Sequence, residues 1–180
     1  MRTLTMVILS FILAAPICSA ESPERQAEAF HQMLMSLCVN NIANLDALRD
    51  RLKGVPSFPE EQGAVFLANR TGTAWPVPDK SGLFVLSLLD SGQCAILARR
   101  ASSTKVREQF LGFVTDAPSP LVYRKVSEAS AMTEANGEAH TIQYEWSAEA
   151  DMPKLVFTLT TSDFEEAQIQ AMGSVVLIHP

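Results

Sequence analysis

Cysteine and histidine are scarce in this sequence, which has three residues of each type, and no histidine stands at a metal-ligand spacing from a cysteine. A Gly-x-Ser-x-Gly motif, which places the nucleophilic serine of α/β-hydrolases on a sharp turn, is missing. Internal repeats and low-complexity segments are absent as well. These absences argue against a metal site, a repeat array and a serine hydrolase of that type, and we expect no metal and no cofactor.

Basic residues are the minority among the charged ones, with 14 Lys and Arg against 20 Asp and Glu and a net charge of -6. An acidic chain is poorly suited to nucleic acid or to an anionic membrane surface, because both carry negative charge. We therefore expect no nucleic-acid partner. A basic protein partner would suit this charge, although solubility alone would also account for it.

Long hydrophobic runs are absent except at the start of the chain, where residues 4–17 form an apolar run of 14 residues. A membrane-spanning helix needs about 20 such residues, so we expect no stable membrane insertion. The small residues up to Ala20 complete the pattern of a secretory signal peptide. We expect cleavage after Ala20. Lipidation of Cys18 is the alternative, and the bulky Ile17 before it disfavours that modification.

Cleavage would divide the chain into a signal peptide, residues 1–20, and a single domain, residues 21–180, in the periplasm. The loss of one of the 14 basic residues would change the net charge from -6 to -7. A chain of this length is large enough to bury a substantial hydrophobic core.

Two cysteines, Cys38 and Cys94, remain after cleavage. A single pair in an oxidising compartment favours a disulfide bond between them. In the chain-entropy model, a bond that closes a loop of this length stabilises the fold by about 4 kcal/mol. Two free thiols and a two-cysteine metal site are the alternatives.

Two segments show helical spacing of apolar residues. Ser22 and Pro23 suit the N-cap and first position of a helix whose buried stripe includes Cys38, and Gly54 ends this pattern. Ser102 or the serine after it would cap a second helix. The core stripe of the second helix comprises Val106, Phe110, Phe113 and Val114.

Residues 83–100 predict two apolar strands around a Ser91-Gly92 turn. A two-residue turn would place Leu89 opposite Cys94. Because both faces of these strands are apolar, we expect them inside a sheet that is covered on both sides. The first helix should cover one side, since it carries the disulfide partner of Cys94.

The strand pattern beyond this hairpin completes the fold class. Residues 72–82 predict an edge strand, because Pro76 and Pro78 have no N–H to donate to a neighbouring strand. Further strands are expected at residues 154–161 and 173–178. The class is α+β: an N-terminal helical segment packed on a mainly antiparallel β-sheet with one inserted helix.

The dipeptide Asn136-Gly137 is typical of a two-residue type I′ hairpin turn. That register places Glu128 directly opposite Glu145. Facing carboxylates can form an acid/base pair or a metal site, or they can splay into water. His140, on the same hairpin, lies near aromatic residues and could act as a general base, or be packed and hydrogen-bonded.

Two other places are candidates for binding. Trp75 stands just before Pro76 and Pro78 on the predicted edge strand, where an exposed tryptophan would anchor a partner and a buried one would belong to the core. Arg99 and Arg100 precede the second helix, whose N-terminus could hold an anion with their help. A solvated basic rim with capping serines is the alternative.

The order of features resembles a group of small exported proteins of Gram-negative bacteria, some of them lipoproteins, to which no activity is assigned. The resemblance covers residues 26–115 and is carried by Cys38, by Trp75-Pro76 and by Gly92 with Cys94. It implies an envelope location and a cysteine pair, and it supplies no catalytic residues.

Together these observations favour a non-enzymatic periplasmic protein that binds another protein, with an oligomeric state that the sequence leaves open. It would serve as an accessory factor of an envelope machine such as a secretion or conjugation apparatus. One alternative is an inhibitor or immunity protein against a basic toxin or wall hydrolase. The other is a hydrolase that uses His140 with Glu128 and Glu145.

Overall fold

Seven antiparallel strands form one open sheet, in the order β1-β2-β3-β7-β6-β5-β4. The structure, a computed structural model, describes residues 22–148 and 151–180. The strands are Gly72–Asp79 (β1), Gly82–Leu89 (β2), Gln93–Ala98 (β3), Val122–Thr133 (β4), Gly137–Ser147 (β5), Lys154–Ser162 (β6) and Ala171–Ile178 (β7). The helices are Pro23–Met33 (α1), Leu45–Arg51 (α2), Glu60–Gly63 (α3) and Ser103–Val114 (α4). The predicted α+β class is confirmed.

The expected signal peptide, with Cys18, lies outside the described residues. Within residues 22–148 and 151–180, no helix is both long enough and apolar enough to cross a membrane.

The helical segment begins where the sequence predicts. Ser22 caps α1 by accepting a hydrogen bond at Oγ from the N–H of Arg25, at 3.3 Å. After α1 the path continues as a π-helical turn, Leu34–Cys38, and a 3₁₀ helix, Val39–Asn44, before α2. The Asn41 amide donates to two carbonyls of the π-helical turn, at 2.9 and 3.1 Å. Such side-chain bonds compete with regular helical bonds, which accounts for the change of pitch.

The Cys38–Cys94 disulfide is present, as predicted, and it joins the helical segment to the interior of the sheet. The two Cα atoms are 5.3 Å apart and 56 residues separate them in sequence. Cys94 lies on β3, between Leu88 of β2 and Val175 of β7, and all of these side chains are buried. The bond is therefore a structural link inside the core.

The register of the first hairpin differs from the prediction by one residue. Leu88, rather than Leu89, lies opposite Cys94. The loop between β2 and β3 has three residues, and its last residue, Gly92, has a φ of +87°. A three-residue loop that ends in a left-handed glycine is a common hairpin connection, and it shifts the pairing from the two-residue register.

The shift exchanges the faces of β2. Phe84, Leu86 and Leu88 point with Cys94 toward α1 and α4, on what we call the helix face. Val85 and Leu89 point to the opposite side, which we call the open face. A one-residue slip has this effect because side chains alternate along a strand.

The second hairpin also has a three-residue loop, since Thr133 pairs with Gly137. A bulge at Val126 shifts the pairing again along β4. These two irregularities move Glu145 opposite Arg124 and Glu128 opposite Ile142. The predicted Glu128–Glu145 pair is therefore wrong, and the two carboxylates lie on opposite faces of the sheet.

The helix face holds the main core. Phe113 of α4 lies against Trp146 of β5 and Phe157 of β6, with ring centroids 4.9 and 5.3 Å apart. The indole N–H of Trp146 donates to the carbonyl of Val114 at 2.7 Å, which satisfies a backbone group at the end of α4. Helix, sheet and aromatic cluster thus form a single packed unit.

Gly173 lets α1 and the π-helical turn approach the sheet closely. A Cβ atom at this position would lie 2.9 Å from both the Phe30 Cζ atom and the Leu34 Cδ2 atom. Phe30 and Leu34 are buried in the main core, and Gly173 meets them from the helix face of β7. The absence of a side chain here sets the spacing between the helical segment and β7.

We expect Gly173→Ala to destabilise the protein by about 1–3 kcal/mol, because an inserted methyl group must displace two fully buried side chains. Urea denaturation followed by tryptophan fluorescence measures this change. Gly112→Ala is the matched control, because a Cβ there meets no atom within 4 Å. Equal stability of the Gly173→Ala variant and the natural protein would show that the helical segment does not rest on this strand.

Candidate functional site

An apolar groove of about 700 Å³ opens on the open face of the sheet. Its floor is a row across three strands, in which Pro76 of β1, Val85 of β2 and Leu97 of β3 lie side by side. Along this row Leu97 is buried, Val85 is partly buried and Pro76 is exposed. The floor of the groove is therefore apolar along its length, and it is open to solvent at the Pro76 end.

One wall of the groove is the segment that contains α3. The backbone N–H of Phe58 donates to the carbonyl of Ala74 at 2.9 Å, which fixes this segment to β1. The rings of Phe58 and Phe66 pack together with centroids 5.0 Å apart. This wall is a small second hydrophobic cluster, so the groove is held open by packed side chains.

The rim carries large apolar side chains that face solvent. Leu83, at the start of β2, is 70% exposed, and Val65, after α3, is 57% exposed. Ile169, in the segment before β7, lines the other side. Exposed apolar side chains that surround an apolar floor are typical of binding surfaces.

Among the described residues that line the groove, Arg99 is the one that carries a charge. It follows β3 directly and is exposed. Within the described part of the chain, its guanidinium makes neither an ion pair nor a side-chain hydrogen bond. A guanidinium beside apolar surface suits a carboxylate of a bound molecule, which it can contact through two N–H groups.

The structure separates the predicted binding residues. Trp75 is 8% exposed and belongs to the main core on the helix face. Of the two alternatives predicted for this residue, the structure therefore shows the buried core residue. Its partner across the strands is Leu86, which is also buried. Pro76 and Pro78, which follow Trp75, do not expose the indole, because they point to the opposite face of β1.

Arg100 has a structural contact as well as an exposed side chain. Its backbone N–H donates to the Gln26 side-chain oxygen of α1 at 3.1 Å. The N-terminus of α4 is occupied by its own cap, since the Ser102 hydroxyl accepts from the N–H of Lys105 at 3.4 Å. This capping matches the alternative of a basic rim with capping serines.

His140 contacts one of the two predicted carboxylates. Its Nε2 atom lies 2.9 Å from Oε1 of Glu128, and the same glutamate binds the ammonium group of Lys125. The hydrogen bond from Lys125 holds the pKa of Glu128 below its usual value, and the same bond raises the pKa of Lys125. The Nδ1 atom of His140 is buried and has no hydrogen-bond partner among the described residues.

Glu145 has a different role. It is almost fully buried on the open face, where its Oε1 atom accepts a hydrogen bond from Nε of Arg124 at 2.9 Å. This bond joins β4 to β5 and neutralises a carboxylate that would otherwise be costly to bury. Among the described residues, no cluster of His, Cys, Asp and Glu could hold a metal ion.

The groove was not expected from the sequence. Leu83 stands in an apolar run that predicts cover on both faces, and Val65 stands in the turns that follow α3. Neither pattern shows that the segment around α3 and the segment before β7 leave a gap between them. Arg99 was predicted as a possible binding residue, and it does line the groove.

Comparisons with known proteins give no relative of this chain. No family model matches the sequence, and no curated protein and no solved structure matches it significantly.

Proposed function

We propose that this protein is a non-enzymatic binding factor of the bacterial envelope that holds another protein in the apolar groove of its open face. The observation that supports this most is the exposure of Leu83 and Val65 at the rim of an apolar floor. Their combined exposure has a cost in water, which is recovered only when a partner covers them.

The groove suits one kind of occupant, an apolar segment of a partner with an acidic group beside it. Apolar side chains would lie on Val85 and Leu97, and the acidic group would face Arg99. Arg100 adds a second exposed cation at the same corner of the sheet. The charge around the groove is thus opposite to the acidic charge of the whole chain, which would suit a partner with basic residues elsewhere.

Two biological roles fit such a factor. The buried disulfide, together with the export that the sequence predicts, favours an accessory component of an envelope machine, such as a secretion or conjugation apparatus. An inhibitor or immunity protein against a basic toxin or wall hydrolase is the second role. A neighbouring gene for a toxin would favour the inhibitor, and a secretion operon would favour the accessory factor.

A hydrolase remains the candidate from another class, because His140 and Glu128 are in contact at 2.9 Å. The structure weakens its original basis, since Glu145 lies on the other face and is paired with Arg124. Turnover that disappears in a His140→Ala variant would favour this hydrolase. Our proposal expects the same variant to bind its partner normally.

Site-specific photo-crosslinking in cells that make the protein naturally tests the proposal. A photoreactive amino acid replaces Leu83 in one strain and Met152 in another. Met152 is 51% exposed and does not line the groove, so it is the matched control. We expect one crosslinked partner from position 83 and none from position 152.

A third strain carries Arg99→Glu together with the photoreactive group at position 83. We expect this charge reversal to reduce the crosslink, because a cation beside the groove becomes an anion. Equal crosslinking from positions 83 and 152, or a position-83 crosslink unchanged by Arg99→Glu, would contradict the proposal.

A further inference from the structure

The two edges of the sheet differ in how they meet solvent. At one edge, β1 carries Pro76 and Pro78, which have no N–H to offer to another strand. At the other edge, β4 is 12 residues long and every one of its residues is exposed. Within the described residues β4 pairs only with β5, so its second side presents unpaired backbone groups.

We propose that β4 pairs antiparallel with β4 of a second copy of this chain, about a two-fold axis at the Val126 bulge. This self-assembly goes beyond the proposed binding function, since it uses the opposite edge of the sheet from the groove. In this register Lys125 of each copy lies opposite Glu128 of the other.

The faces of the two strands agree in this register. Tyr123, Lys125, Glu128 and Ser130 all lie on the helix face, because each pairs with a helix-face residue of β5. Without the bulge, residues 125 and 128 would point to opposite faces, since side chains alternate along a strand. A two-fold axis at the bulge therefore places helix-face residues opposite helix-face residues throughout.

Side-chain sizes are complementary around the axis as well. Residues 122–124, before the bulge, carry larger side chains than residues 129–131, after it, so the two-fold pairing sets these larger side chains against small ones. Its pairs, in addition to Lys125 with Glu128, are Val122 with Ala131, Tyr123 with Ser130 and Arg124 with Ala129. No pair sets like charges against each other, and cross-strand pairs of this kind stabilise sheets.

Lysine on an edge strand usually discourages pairing with other strands. Here Lys125 already binds Glu128 of its own strand across the bulge. A second copy would bring the same two residues in reverse order, so the four charges would alternate around the axis. Lys125 thus discourages pairing with unrelated strands and is compatible with pairing to β4 of a second copy.

Sedimentation velocity of residues 21–180, the chain expected after cleavage, tests the proposal over the micromolar concentration range. We expect dimers of the natural protein that dissociate on dilution. Lys125→Glu gives four negative charges around the axis and Glu128→Lys gives four positive ones. Each variant alone should associate at least about tenfold more weakly than the natural protein.

An equimolar mixture of the two variants is the decisive sample. One chain then supplies both carboxylates and the other both ammonium groups, so each cross-strand pair has opposite charges again. We expect dimers of the mixture, whereas damage to either fold would persist after mixing. A natural protein that stays monomeric, or a mixture that associates no better than its components, would overturn the proposal.

Discussion

Replacement of both Cys38 and Cys94 by alanine is expected to lower the melting temperature by roughly 10 °C. The bond closes a loop with a sequence separation of 56 residues. In the chain-entropy model, opening a loop of that length costs about 4 kcal/mol of folding free energy. For a domain of this size each kcal/mol corresponds to about 2–4 °C in melting temperature, which gives the expected drop.

The disulfide lies inside the core, so its removal should affect the stability of the fold. Cys38 and Cys94 have no exposed surface, and their neighbours Leu88 and Val175 are equally buried. Two small alanine side chains would also leave part of this volume empty, which adds to the loss. Catalytic thiols need exposure and a positive environment, so a redox role does not fit this site.

Thermal unfolding followed by circular dichroism, with and without a reducing agent, measures the effect. The reducing agent should destabilise the natural protein and leave the double alanine variant unchanged. If reduction shifted both melting temperatures equally, or neither, the disulfide would not be what stabilises the helical segment on the sheet.

The sequence predicted those parts of the fold that depend on local patterns. The cap at Ser22, the edge strand at Pro76 and Pro78, and the disulfide all follow from the chemistry of a few neighbouring residues. The α+β class follows from the order of such patterns along the chain. These features are confirmed because tertiary packing supports what the local sequence already favours.

Hairpin registers were less predictable, for a physical reason. A Ser91-Gly92 or Asn136-Gly137 pair allows both a two-residue and a three-residue loop, and the choice depends on which face is buried. The bulge at Val126 adds a further shift that no local pattern indicates. The Glu128–Glu145 pair was predicted from that register, and the error in the register carried over to the site.

The groove could not be predicted because it is a property of distant segments. Its floor comes from three strands, its wall from the segment around α3, and its far side from the segment before β7. Each of these segments appears in the sequence as ordinary apolar core. Only their relative placement leaves Leu83 and Val65 uncovered.

A single substitution at the rim should have the largest effect on partner binding. Leu83→Glu places a charge on the most exposed apolar side chain of the groove, where a partner would have to bury it. If Leu83 is a central contact, the loss reaches about 2 kcal/mol or more, which is about thirty-fold in affinity. The fold should be unaffected, since this side chain is 70% exposed in the free protein.

The most direct test of the central claim is the affinity of the crosslinked partner, once purified, for Leu83→Glu and for Met152→Glu. Isothermal titration calorimetry gives both dissociation constants, and melting temperatures confirm that both variants are folded. We predict that Leu83→Glu weakens binding by about thirty-fold or more, whereas Met152→Glu leaves it unchanged. Equal affinities of the two folded variants would contradict the claim that this protein binds its partner through the groove.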